Sequence, residues 1–197
     1  AIHAALEAEE EASSDGVIEP GVGLDLAVQR TRALIAVDID YAPAAGRDSR
    51  KGREAVNREG LRQTARLLAL KGWGGLVAID LVGVGLHPET TLSMARQAFA
   101  DHAGAAIGPL SRFGLLQLSL PWGRTPADER FAAPGALEIG ALRRLRLALL
   151  TDRAAPRLTL HCSSTSAAIL SPWVVQLGPR AHIRPDAAPG VFEIKES

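Results

Sequence analysis

A chain of 197 residues, 47% hydrophobic and 22% charged, has enough apolar surface to bury one substantial core and a small second one, and reads as globular. Its 22 basic and 22 acidic residues cancel, which excludes a polycation that grips nucleic acid by net charge; any such contact must use local patches. The single cysteine, Cys162, excludes an intrachain disulfide framework and a multi-cysteine zinc site, so no zinc is expected. No apolar run approaches the roughly 20 residues of a membrane-spanning helix. The amino end, Ala1-Ile2-His3, lacks the order of a signal peptide, and the expected location is the cytoplasm without membrane contact. The chain opens inside a helical pattern without methionine, as expected where upstream sequence has been removed.

Residues 2 to 12 set Ile2, Leu6 and Ala12 on a weak apolar face and predict a short helix. Turn chemistry around Val17-Ile18, then alternation of Leu24, Leu26 and Val28 with polar neighbours, predicts a hairpin feeding a strand at 33 to 39. The Pro-, Gly- and Arg-rich stretch from Tyr41 to Arg53 is predicted as a loop. Leu61, Ala65 and Leu68 then mark a helix over 54 to 71 that stops at Gly72. A strand ends at Asp80, a second helix runs from Pro88 to Phe99, and Phe113 to Leu120 reads as another strand. Three prolines between Pro121 and Pro134 mark a domain boundary. Beyond them an amphipathic helix with Arg143, Arg144 and Arg146 on its wet side precedes a strand (157 to 162), a helix (165 to 177) and two strands (180 to 185, 190 to 195). The expected class is α/β, a mixed sheet with a parallel βαβ core over residues 1–125, followed by a small α/β domain over 126–197.

The strongest clue to chemistry is that two apolar strands each run into acid: Ile35-Ala36-Val37-Asp38-Ile39-Asp40 and Leu76-Val77-Ala78-Ile79-Asp80. A strand, helix and parallel strand in succession bring both strand ends to one side. Alternation sets Asp38 and Asp40 on the face opposite Ile35, Val37 and Ile39. Carboxylates crowded this way repel one another unless a cation sits among them, and Mg²⁺ or Mn²⁺ accepts one or two carboxylates plus water and phosphate oxygens. Either these three acids merely begin turns, or they mark a divalent-metal site for a phosphate-bearing substrate.

Other features divide the same way. Asn57 is a metal-side hydrogen-bonding group or a helix cap. Arg112 is a phosphate ligand or a buried ion pair that buttresses the acids. Arg47, Arg50, Lys51 and Arg53 follow a nucleic-acid backbone or are simply solvated. Trp122 is a base-stacking candidate, whereas Trp73 and Trp173 read as packing. His161-Cys162 on an apolar strand reads as core, because no partner acid is recognisable, and a thiol nucleophile is rejected. Gly83-Val84-Gly85 lacks the rest of a dinucleotide fingerprint.

Taken in order, Ala33 to Ile39, then Asn57 to Asp80 with Glu59, Ala65, Arg66, Leu68, Gly74, Gly75, Ile79 and Asp80, then Ser111-Arg112-Phe113-Gly114-Leu115-Leu116, resemble the catalytic portion of the bacterial ribonuclease E/G family. The resemblance covers most of residues 1 to 120. It implies a deoxyribonuclease I-like subdomain in which Asp38 and Asp80 bind Mg²⁺ and support endonucleolytic cleavage of single-stranded RNA to 5′-phosphate and 3′-hydroxyl products. In that reading Asp40 completes the catalytic set, and Arg112, Arg47, Arg50, Lys51 and Asn57 contact RNA. The alternatives are a non-catalytic RNA-binding relative or a fragment of a longer ribonuclease. Three departures stand out: Asp40 replaces the family's asparagine, Leu120-Pro121-Trp122 replaces basic residues, and the family's zinc-sharing cysteine pair is absent. A homo-oligomer would therefore not be zinc-linked. The family's upstream S1-type RNA-binding and 5′-sensing modules have no counterpart in this sequence.

Overall fold

The computed structural model describes residues 2–42, 49–83 and 86–196. Its elements are α1 (Ile2–Ser13), β1 (Gly16–Glu19), β2 (Leu24–Arg30), β3 (Ile35–Tyr41), α2 (Arg50–Lys71), β4 (Gly75–Asp80), α3 (Pro88–Ala98), β5 (Ala106–Ile107), β6 (Leu116–Leu120), α4 (Ala127–Phe131), α5 (Ala136–Thr151), β7 (Leu158–His161), α6 (Ser164–Gln176), β8 (Ala181–Arg184) and β9 (Glu193–Glu196). The chain divides into two compact units. One is Glu10–Ala127; the other runs from Asp128 onward and takes in the first turns of α1 up to Glu9.

In the first unit a six-stranded mixed sheet has the order β1-β2-β3-β4-β6-β5. Only β3 and β4 pair in parallel, and α2 is the crossover between them, as the βαβ reading expects. Alternation sorts the faces: Leu24, Leu26, Val28, Ile35, Val37, Ile39, Val77 and Ile79 are buried against Leu61 and Leu68 of α2, together with Met94 of α3 and Phe99 just beyond it. Gly60 lets α2 lie close to β3, since a Cβ there would stand 2.7 Å from both Cδ1 and Cγ2 of Ile39. No helix among the described residues is long and apolar enough to cross a membrane.

Of the predicted boundaries that move, two bear on the site. Helix α2 starts at Arg50, four residues before the expected start, because Ser49 is extended and its Oγ accepts the Gly52 N–H at 3.0 Å, capping the first turn. Arg50, Lys51 and Arg53 therefore lie on a helix, not in a loop. Arg47 lies outside the described residues. The helix ends where Gly72 adopts φ +67°, the left-handed conformation that glycine accepts without Cβ strain. The strand predicted from Phe113 begins only at Leu116, because Ser111 to Leu115 close a turn first.

The second unit has its own core, in which Leu145 of α5, Leu160 of β7, and Leu170 and Val174 of α6 are buried together. Its three-stranded sheet has the order β8-β7-β9, with β7 and β8 parallel across α6 and β9 antiparallel. Ser163 caps α6 by accepting the Ser166 N–H at 3.2 Å.

Candidate active site

Strand alternation that buries Ile35, Val37 and Ile39 turns Asp38 and Asp40 to the exposed face of the sheet, and burial of Val77 and Ile79 does the same for Asp80. The parallel register pairs Asp38 with Asp80 directly, so the two carboxylates leave adjacent strands at the same level. A fourth acid joins them. Asp25 is exposed on β2 and pairs with Asp40 across the antiparallel β2–β3 ladder, two register pairs from the level of Ala27 and Asp38 and so on the same face by strand alternation.

This crowding has an electrostatic signature at Asp38. Atoms packed around the carboxyl strip part of its hydration even though the residue reaches the surface, and repulsion from Asp40, Asp80 and Asp25 adds to that; together they push its pKa above the ordinary aspartate value. No group of three His, Cys, Asp or Glu side chains among the described residues stands close enough to share one metal ion. A site built on two carboxylates, with the rest of the shell from water and phosphate, is what Mg²⁺ accepts. Asp38 and Asp80, paired in the strand register and in no ion pair among the described residues, supply that donor chemistry.

The segment leaving β4 is tied to α2 by Asn57. Its amide nitrogen donates to the Val82 carbonyl at 3.0 Å, and its side-chain oxygen accepts the Val82 N–H at 2.8 Å. Asn57 is 1% exposed and sits in the body of the helix, so Ser49 takes the capping role that the sequence left open for it. Both hydrogen-bonding functions of the amide are committed to the backbone two residues past Asp80.

Basic residues flank this segment on two sides. A cavity of about 220 Å³ is lined by Arg50, Arg53, Asn57, Val82, His87 and Thr90. Arg50 also bridges to Glu54 at 3.2 Å, and Lys51 is exposed but does not line the cavity. On the other side Arg112 is exposed and stacks 4.7 Å from the centroid of the Phe113 ring, which replaces the buried ion pair with the acids considered from sequence. Trp122 is exposed, with the Arg30 guanidinium 5.2 Å from its ring centroid; Trp73 is largely buried beside Lys71, and Trp173 is exposed, contrary to its reading as packing.

The sequence reading missed two features of this site and one of the second unit. Asp25 was visible as an outward residue of an alternating strand, but its level beside Asp40 needed the hairpin register. Phe113 was assigned to a strand. His161 does have a partner acid: its Nδ1 lies 2.7 Å from Asp186, which also takes Arg184 at 3.1 Å. Cys162 is buried, and that burial, with Asp186 and Glu138 nearby, pushes its thiol pKa up, the opposite of what a nucleophile needs.

Comparison with known proteins identifies relatives of this chain. The ribonuclease E/G family profile matches residues 3–120. Ribonuclease E of Escherichia coli is 31% identical over 121 residues, which is 59% of this chain and 11% of that protein. Ribonuclease E of Buchnera aphidicola subsp. Acyrthosiphon pisum is 34% identical over 101 residues, 49% of this chain and 11% of that protein. Ribonuclease E of Haemophilus influenzae is 31% identical over 121 residues, 59% of this chain and 13% of that protein. The chain thus spans about a tenth of the length of these relatives.

Proposed function

The chain belongs to the ribonuclease E/G family, and from that premise we propose that it is a Mg²⁺-dependent endoribonuclease acting on single-stranded RNA, with Mn²⁺ able to substitute. The observation that carries the proposal is Asp38 opposite Asp80 on an exposed sheet face, with the ionised Asp38 carboxyl destabilised first by lost hydration and then by neighbouring negative charge. Asp38 and Asp80 hold the metal, whose positive charge relieves their repulsion. When bound, Mg²⁺ supplies polarisation of the scissile phosphate and lowers the pKa of water.

The remaining roles fall to this chain's own groups. Asp40 is an acceptor-only carboxylate on the same face as Asp38, suited to orient an attacking water and take its proton. Water as nucleophile leaves 5′-phosphate and 3′-hydroxyl ends. Asn57 acts through the backbone it clamps beyond Asp80 and serves as a positioning residue. Arg50 and Arg112 meet the RNA phosphates on either side, where a guanidinium matches phosphate oxygens in a planar, bidentate fashion.

The decisive experiment is cleavage of a labelled, AU-rich single-stranded RNA with Mg²⁺, with Mn²⁺ and with chelator, by the parent chain and by Asp38→Ala and Asp80→Ala. Metal-dependent cleavage lost in both variants supports the proposal; a cyclic phosphate product overturns the water mechanism. A second reading, a non-catalytic RNA-binding relative, is favoured by one observation: Asp25 and Asp40 add negative charge beside Asp38 where phosphate must approach. RNA binding without cleavage under every metal condition selects it.

A further inference from the structure

A cleft of about 430 Å³ lies between the segment that follows β4, at Gly83 and Leu86, and the turn Ser111–Gly114. Its size falls within the range of small-ligand sites, about 300 to 1,000 Å³. Leu86, Pro88 and Leu110 line one part of it and Ser111 and Arg112 another, so its surface is mixed, and Arg112 is the one charged residue among its described lining residues. Its lining begins at Gly83, three positions after Asp80 in the chain.

The turn that forms its outer wall is pinned by hydrogen bonds. The Ser111 N–H donates to the Leu115 carbonyl at 2.9 Å, and the Gly114 N–H donates to the Ser111 carbonyl at 3.0 Å. The Ser111 hydroxyl oxygen accepts the Leu115 N–H at 3.0 Å and the Phe113 N–H at 3.3 Å. Gly114, at φ +86°, completes the reversal. This scaffold leaves Phe113 74% exposed, with the Arg112 guanidinium against its ring. A large ring held in water opposes burial of apolar surface, and a rigid turn pays its ordering cost before any ligand arrives. A fixed aromatic face beside a guanidinium, both lining a cleft of mixed polarity, matches a planar nucleobase carrying an anionic phosphate.

We infer that this cleft is a nucleotide subsite: Phe113 stacks on a base of single-stranded RNA, while Arg112 holds that nucleotide's phosphate. The inference rests on the proposed function and adds to it a base-stacking contact that tolerates any base, because every base presents a π-face.

The test is equilibrium binding of a fluorescently labelled ten-nucleotide oligoadenylate in the presence of Mg²⁺, in the Asp38→Ala background so that the RNA stays intact. Adding Phe113→Ala is expected to weaken binding by about 5- to 150-fold, the range for losing one base–aromatic stack. Phe113→Trp should restore it. Adding Arg112→Ala should also weaken binding and reduce the slope of log affinity against log salt by about 0.7, one phosphate contact on a single strand. Because Phe113 is mostly exposed, each variant should melt within about 2 °C of its parent, as a surface substitution does. Unchanged affinity for Phe113→Ala, with cleavage by the parent chain intact and lost in Asp38→Ala, overturns the subsite and leaves the proposed function standing. Absence of both binding and cleavage in the parent chain overturns both.

Discussion

The two units of this chain use the same local device, a parallel strand pair joined by a helix, and treat charge at its carboxyl end in opposite ways. In β7–α6–β8 the last register pair is His161 with Arg184, and Asp186 contacts both side chains. In β3–α2–β4 the corresponding pair is Asp38 with Asp80, and the neighbours Asp40 and Asp25 carry the same sign. Stability alone favours the first arrangement, since like charges on adjacent strands cost free energy. The second makes sense where a cation and an anionic substrate complete the site.

That contrast can be broken most sharply by activity. Asp38→Ala or Asp80→Ala is expected to lower RNA cleavage by at least about 100-fold, the scale of losing one electrostatic contact to a transition state, whereas Asp186→Ala leaves cleavage unchanged. Equal losses in a single-turnover assay would remove the distinction between the two strand ends. Metal is expected to stabilise only the first unit's site. At 100 times its dissociation constant Mg²⁺ should add about 2.7 kcal/mol of unfolding free energy to the parent chain, seen as a rise in melting temperature that is absent in Asp38→Ala.

Two substitutions probe the frame beneath the acids. Gly60→Ala forces a methyl onto Ile39, the residue between Asp38 and Asp40, and should cost about 1–3 kcal/mol in urea denaturation. Asn57→Ala strands the Val82 N–H and carbonyl, again at about 1–3 kcal/mol, with a fall in kcat larger than any change in KM if the amide positions the Asp80 segment. In the second unit Asp186→Ala should cost at most about 1 kcal/mol, because the pair is partly solvated.

The smallest effect is pH dependence. Asp38 has a raised native pKa, so its ionised form opposes folding; the penalty is complete above the native pKa and is relieved as pH falls through it toward the unfolded value. Asp40→Asn removes one repelling charge. It should lower the Asp38 pKa in an NMR titration and make the variant slightly more stable than the parent near neutral pH, with the difference vanishing in acid. An unchanged Asp38 titration would show that Asp40 does not act on it.

Much of the first unit was legible because its signals are local. Alternation of apolar residues identified β2, β3 and β4, helical spacing identified α2, and the parallel return of a strand-helix-strand connection set Asp38 and Asp80 at one edge of the sheet before any register was known. Where the reading failed, a competing local interaction decided. The Ser49 cap extended α2 through Arg50, Lys51 and Arg53, and the Ser111 hydroxyl turned Phe113 out of the strand that its hydrophobicity suggested.

Sequence alone therefore determined which side chains face away from the core on each strand, since a period of two is a property of the extended backbone. Tertiary structure alone decided which of them meet. Asp25 reached the acidic group through the antiparallel register with β3, Asn57 found its partner 25 residues away at Val82, and His161 found Asp186 at the same separation. Such pairings depend on how strands and helices pack across long loops, which no local period encodes.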